Sequence, residues 1–290
     1  MPALFADCSP PANETRPPSP YDGRATMNLA VTSRGTNKRE ADRGRAAGQL
    51  VRRVVMAATF AAMTGQPSLA QRVRLRVYEH FLEHARPPVV EELMRDLSLS
   101  REEVGTVLRE LDANRALALV KGTERILMAW PFSAIATPFR VRARGRDYFA
   151  NCSWDAIAFH AMLGADGVEI DSYCHHCAAP IRLELARGRA TAVEPAATIV
   201  YLALRPTQWW EDIITTCSNT MVFFCSAKHR DASALCAPPE QAASLTPDQV
   251  HRLGEPIYAR RLEIDYARPS RDELNAHFAA LGLTGPYWQI

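Results

Sequence analysis

The chain is predicted to be an α+β protein, with a winged-helix-like N-terminal domain followed by a mixed domain of sheet and helix. Three observations predict this. Residues 69–114 repeat apolar side chains at helical spacing. Residues 117–129 read as two short strands around Lys121-Gly122. From residue 139 onward, β-branched apolar runs alternate with stretches of helical period. The implied organisation is a basic leader over 1–68, a winged-helix-like domain over 69–138 and a thiol-bearing domain over 139–290. At 290 residues and 47% hydrophobic side chains the chain is large enough to bury such cores.

The leader carries the charge asymmetry. Residues 1–76 hold 12 Lys/Arg against 5 Asp/Glu, a surplus of +7 that leaves −5 for the remainder. Residues 1–50 are rich in Pro, Ser, Arg and Asn without apolar periodicity, and Pro10, Pro11, Pro17, Pro18 and Pro20 exclude regular helix, so disorder is expected. Arg52-Arg53 before VVMAATFAAMTGQPSLA has the outline of an export signal. Its position some fifty residues in and its interruption by Thr59, Thr64 and Gly65 favour a short packing helix. No stretch is long and apolar enough to span a membrane. Seven cysteines in a chain of this size point to free thiols in a reducing, cytoplasmic compartment rather than a disulfide framework.

In the second segment, Val73, Val77, Phe81 and Leu82 form one apolar face, stopped by Arg86-Pro87-Pro88. A second helix is expected at 90–97. Ser100 with Glu103 makes a capping box for a third over 102–114, whose buried stripe is Val104, Val107, Leu108 and Leu111. Three helices and a hairpin suggest DNA binding. The outer face of the third, however, offers Arg101, Glu102, Glu103, Arg109, Glu110 and Asp112, a mixed set that a phosphate-tracking helix would not present. A structural or docking module is expected, with no nucleic-acid partner. Further on, 139–141, 168–171, 181–185 and 198–204 read as strands. Residues 213–224 read as a strand broken at Cys217-Ser218-Asn219. Pro247 opens a helix to about Leu253, and 271–281 forms another, ended by Gly282.

The chemistry lies in the thiols. Cys152 and Asp155 are one helical turn apart and share a face. The apolar run 156–163 that follows places them at a core edge. Cys217, in TTCSNT, interrupts an apolar strand, where a loop can lift a thiol into a cleft. Cys225 reads as core, and Cys8 and Cys236 as incidental. Cys174 and Cys177 form a C-x2-C half-site for zinc. No second C-x2-C or H-x3-H pair completes it, and His160, Cys217 or His229 would have to be recruited from afar. Structural zinc is therefore not expected; Cys174 is assigned to packing and Cys177 to the turn.

NCSWDAIAFHAMLG followed by CHHCAAPIRLEL resembles the core of the alkylmercury (organomercurial) lyase family. The WPFSAIATPFRV connector, AVEPAATIVYLALRP and DIITTCSNTMVFF are similar to further blocks of that family, in the same order. The resemblance implies a catalytic domain of the alkylmercury lyase type over 139–290. Protonolysis of carbon–mercury bonds is the implied reaction. Cys152 and Cys217 would be the mercury-binding pair, Asp155 the proton-handling carboxylate and Cys174 a structural cysteine. It implies no required cofactor, Hg(II) bound as product, and small thiols or a mercuric reductase as metal acceptor. Two departures stand out. His160 replaces the family's usual Pro. Cys217 lies one residue further from Phe223-Phe224 than the pattern expects, so Ser218 competes for its place. The rival readings are a non-catalytic soft-metal binding protein, a winged-helix metal-responsive regulator, and a thiol hydrolase using His160.

Overall fold

The computed structural model describes residues 66–164 and 167–290. The expected disorder over 1–50 and the segment opening at Arg52-Arg53 lie outside the described residues. Pro67–Ile290 form one compact unit.

Three helices open it: α1 (Leu69–His84), α2 (Val90–Leu97) and α3 (Arg101–Ala113). Ser100 and Glu103 close the capping box the sequence implied, and Ser68 with Gln71 forms another on α1. The buried stripe of α3 is the expected one, Val104, Val107, Leu108 and Leu111. On its outer side, Arg101 and Arg109 pair with Glu124 at 3.6 and 3.0 Å. A three-stranded antiparallel sheet follows, in order β1 (Ala118–Leu119), β2 (Ile126–Ala129), β3 (Phe132–Ser133).

Phe132 lies in this third strand rather than in a plain connector. Its ring stacks on Phe81 at 4.8 Å and meets Phe159 and Tyr148 edge-on at 4.9 and 5.5 Å. These contacts join the opening helices to the thiol-bearing half in one core. Hydrogen bonds tie the same seam: Tyr78 donates to the Trp130 carbonyl (2.8 Å), and Arg74 Nη1 donates to the Arg261 carbonyl (2.6 Å).

The second half holds a five-stranded antiparallel sheet in order β5-β4-β6-β7-β8. Its members are β4 (Arg140–Ala143), β5 (Arg146–Phe149), β6 (Val168–Tyr173), β7 (Pro180–Ala186) and β8 (Arg189–Glu194). Burial alternates strictly along β4 and most of β7, as one face packs on the core and the other meets water. A second antiparallel sheet has β9 (Ile199–Leu202) between β10 (Met221–Phe224) and β11 (Ala243–Leu245). Helix α4 (Ser153–Leu163) is buried on nearly every side, the pattern of a helix inside a core.

Three expectations need correction. The strand read across 213–224 is strand only at Met221–Phe224. Asp212 caps a short turn at Ile213–Thr215, accepting from Thr215 N at 3.1 Å, and a π-helical turn covers Thr216–Thr220. The helix opened by Pro247, α6 here, runs to Tyr258 rather than Leu253, with Pro256 inside it. Strands β5 and β8 were not anticipated. A small helix, α5 (Ala227–Asp231), precedes α6, and α7 (Arg271–Ala280) follows it. Helix α6 crosses α4 closely at Gly254, where a Cβ would lie 2.8 Å from Trp154 Nε1. Glycine is what permits that approach, and it brings the end of α6 to the start of α4.

Candidate active site

Cys152 is the N-cap of α4. Its backbone is extended (φ −154°), and its sulfur accepts a hydrogen bond from Asp155 N at 3.3 Å. A thiol in the place usually taken by Ser, Asp or Asn fixes the side chain at the helix mouth, with Asp155 one turn along the same face. Cys152 is 2% exposed and Asp155 1%.

Cys217 arrives from the other sheet, on the π-helical turn before β10. An i→i+5 turn holds one residue more than an α-turn. Thr220 Oγ1 closes it onto the Thr216 carbonyl at 2.7 Å. Thr216 and Cys217 are the buried residues of the turn (Cys217 3% exposed), and Ser218 is only partly buried. The Cys152 and Cys217 sulfurs and a carboxylate oxygen of Asp155 lie within 4.8 Å of one another.

Residues not read from the sequence complete the surroundings. Tyr258, at the last turn of α6, donates its hydroxyl to Asp155 Oδ1 at 2.6 Å, and Asn151 Nδ2 lies 3.2 Å from Oδ2. Asn151 Nδ2 also reaches the Pro131 and Phe132 carbonyls, both at 3.1 Å, which ties it to β3. Behind them lies the buried guanidinium of Arg261, which donates to the Tyr78 hydroxyl at 2.8 Å and stands over the Tyr258 ring at 4.8 Å.

Burial raises the Asp155 carboxyl to about 6, because the hydrogen bonds from Tyr258 and Asn151 and the Arg261 charge only partly offset lost solvation. Burial, the Cys217 sulfur and the Asp155 charge all push the Cys152 thiol well above its usual range. At neutral pH the site thus presents a carboxylate close to its titration point beside a protonated thiol. That pairing can pass a proton in either direction.

Around the sulfurs is a cavity of about 50 Å³, walled by Trp130, Trp209, Trp210, Ile213, Met221 and Ile257 among others. It adjoins a cleft of about 670 Å³ with which it shares Trp154, Trp209, Trp210, Ile257 and Arg268. Arg115 and Arg268 lie over the Trp210 ring at 4.9 and 4.6 Å, and Trp130 meets it edge-on at 5.4 Å. The wall shared by the cavity and the cleft is largely aromatic, suited to an apolar group.

Against known families, residues 132–259 match the family model described as alkylmercury lyase. This segment is similar to an alkylmercury lyase domain. A relative named alkylmercury lyase from Staphylococcus epidermidis is 26% identical over 174 residues, covering 60% of this chain and 76% of its own. One of the same name from Bacillus cereus is 32% identical over 92 residues, 32% of this chain and 41% of the relative. A structure titled as the mercury-bound form of MerB2 superposes with TM-score 0.54 at 20% identity, over 68% of this chain and 91% of that one. At that identity it establishes a common mixed α+β fold.

The matched domain holds Cys152, Asp155, Cys217, Asn151 and Tyr258; Arg261 lies just beyond it. His160 sits on α4 away from the sulfurs, with Nδ1 2.9 Å from His251 Nε2 on α6, so it is a packing partner and not the base a hydrolase would need. Cys225 departs from its expected core role. It is the first residue past β10 and lies 3.9 Å from Cys177 and 2.8 Å from His229 Nδ1. Cys152, Cys174, Cys177, Cys217 and Cys225 are free thiols, whereas Cys236, expected to be free, is disulfide-bonded. Among the described residues no helix is long and apolar enough to cross a membrane.

Proposed function

We propose that the alkylmercury-lyase-like domain cleaves carbon–mercury bonds by protonolysis, with Cys152 and Cys217 as the metal-binding pair and Asp155 as the proton carrier. The observation that carries this reading is the meeting of two sulfurs and one carboxylate oxygen within 4.8 Å inside an aromatic-walled cavity. Mercury(II) is soft and takes thiolates over oxygen or nitrogen. The organic group of R–Hg–X enters past Trp209 and Trp210. One sulfur displaces X⁻, which leaves with that thiol's proton. The second sulfur raises the coordination of the metal and weakens the carbon–mercury bond. Its proton passes to ionised Asp155 and from there to the carbon, which departs as R–H. Hg(II) stays as a dithiolate until small thiols or a mercuric reductase remove it.

The high thiol pKa of Cys152 suits this order, since the incoming metal, rather than a standing thiolate, drives deprotonation. Tyr258 and Asn151 hold the carboxylate in place, and Arg261 keeps its charge within reach of neutral pH. A winged-helix-like module over α1–α3 and β1–β2 acts here as a buttress, since Glu91 and Glu124 pair with Arg101 and Arg109. A cytoplasmic setting would keep the thiol pair reduced.

The test is incubation of phenylmercury acetate with the protein and excess small thiol, with benzene measured by gas chromatography. Multiple turnovers to benzene are expected. Tight binding with phenylmercury recovered intact would instead favour a soft-metal binding protein.

A further inference from the structure

We propose that Cys174, Cys177, Cys225 and His229 form a second metal site, a tetrahedral Cys₃His site for zinc that clips the two sheets together. Their ligand atoms lie within 4.8 Å of one another. Zn–S bonds of about 2.3 Å and Zn–N bonds near 2.0 Å at tetrahedral angles require S···S edges of about 3.8 Å and S···N edges of about 3.6 Å. Cys177 and Cys225 sulfurs are 3.9 Å apart, and Cys174 sulfur is 3.6 Å from His229 Nδ1. The Cys225–His229 contact, at 2.8 Å, is a hydrogen bond that opens by about 0.8 Å as an ion replaces the shared proton.

The backbone is already arranged for such an ion. Cys174 and Cys177 flank the tight β6–β7 turn, where Cys174 N donates to the Ala179 carbonyl (2.8 Å) and Ala178 N to the Cys174 carbonyl (2.9 Å). Cys225 and His229 are one helical turn apart at the start of α5, whose N-cap Ser226 accepts from His229 N at 3.3 Å. His175 N donates to the Phe223 carbonyl at 2.9 Å, so the two segments are docked independently of any ion.

The donor set chooses the metal. Three thiolates and one imidazole in a closed tetrahedron suit zinc and leave no open position for catalysis, so the role is structural. The clip joins the β6–β7 turn of the five-stranded sheet to the end of β10, the strand whose other end follows the turn bearing Cys217. This site shares no residue with the reactive pair and stands whether or not the domain cleaves carbon–mercury bonds.

The experiment uses the full chain, expressed with zinc and without mercury and purified under reductant without chelator. Elemental analysis is expected to find about one zinc per chain, as a closed structural site retains its ion. Cobalt(II) exchanged into the site is expected to give the thiolate charge-transfer and intense visible bands of a tetrahedral ion. Cys177 is exposed, so Cys177→Ser is expected to fold, to lose the zinc and to alter the cobalt spectrum, whereas Cys152→Ala and Cys217→Ala keep it. Zinc is also expected to block alkylation of Cys177 and its removal to restore it. Zinc content below about a tenth per chain together with no tetrahedral cobalt spectrum would overturn the proposal. So would zinc lost on changing Cys152 or Cys217, or a Cys177–Cys225 disulfide in the reduced preparation.

Discussion

Replacing Tyr258 by Phe probes the proton step while leaving both sulfurs in place. The lost contact is a 2.6 Å hydrogen bond from a fully buried hydroxyl to Asp155 Oδ1, one of the forces holding the carboxyl to about 6 against burial. Hydrogen bonds to charged groups contribute about 1.5–3 kcal/mol, equivalent to about 1–2 pH units. Asp155 must be ionised in the free enzyme to accept a thiol proton, so kcat/KM falls as pH drops through its pKa. The acid limb of the profile should therefore move up by about 1–2 units in Tyr258→Phe. At pH 6 the variant should retain on the order of a tenth of wild-type kcat/KM, approaching parity near pH 9, where both carboxyls are ionised. Benzene release from phenylmercury across pH 5–9 is the assay. A uniform loss at every pH, or a limb that stays in place or moves down, would refute the reasoning.

Two further outcomes follow from the buried titratable groups. Because the Asp155 carboxyl lies at about 6 in the fold against 3.8 for an ordinary aspartate, its contribution is fully present below 3.8 and is lost as pH rises through 6, at a cost of roughly 3 kcal/mol by pH 8. Asp155→Asn should abolish turnover yet unfold at higher denaturant than wild type at pH 8, the gap closing towards pH 4; equal stability at both pH values would contradict this. Burial holds His160 and His251 below the usual imidazole range, only partly offset at His251 by Glu255 and Asp248. Their contribution is present above about 6.5 and lost as pH falls towards their depressed values. In the Asp155→Asn background, where the opposing carboxylate is gone, the urea midpoint should drop between pH 7.5 and pH 5.5, and a flat midpoint would show the pair is not buried neutral.

Much of the site was legible because its first half is local. Cys152 and Asp155 are joined by a single helical turn, and helical spacing alone places them together. Cys217 was legible as a candidate, but its register was not, because nothing in TTCSNT announces a π-turn with its extra residue. Tyr258 was missed for a different reason. The helix was read only to about Leu253; Pro256 removes the backbone bond to Arg252, yet His277 Nε2 takes up the Arg252 carbonyl at 3.0 Å and the helix continues to Tyr258. Strand β8, RATAVE, lies almost wholly outside the core and carries no apolar alternation, so only its pairing with β7 defines it. The second cluster hides as C-x2-C plus C-x3-H, a mixed pairing that a search for two matched pairs passes over. Its ends meet only because β6 and β7 fold back beside β10.

The decisive measurement is benzene release from phenylmercury by Cys152→Ala and by Cys217→Ala, with Ser218→Ala as the control beside them. Two converging sulfurs predict that either cysteine variant falls to the uncatalysed rate while still folding, and that the serine variant runs as wild type. Full turnover in either cysteine variant, or its loss in the serine variant, would contradict the account.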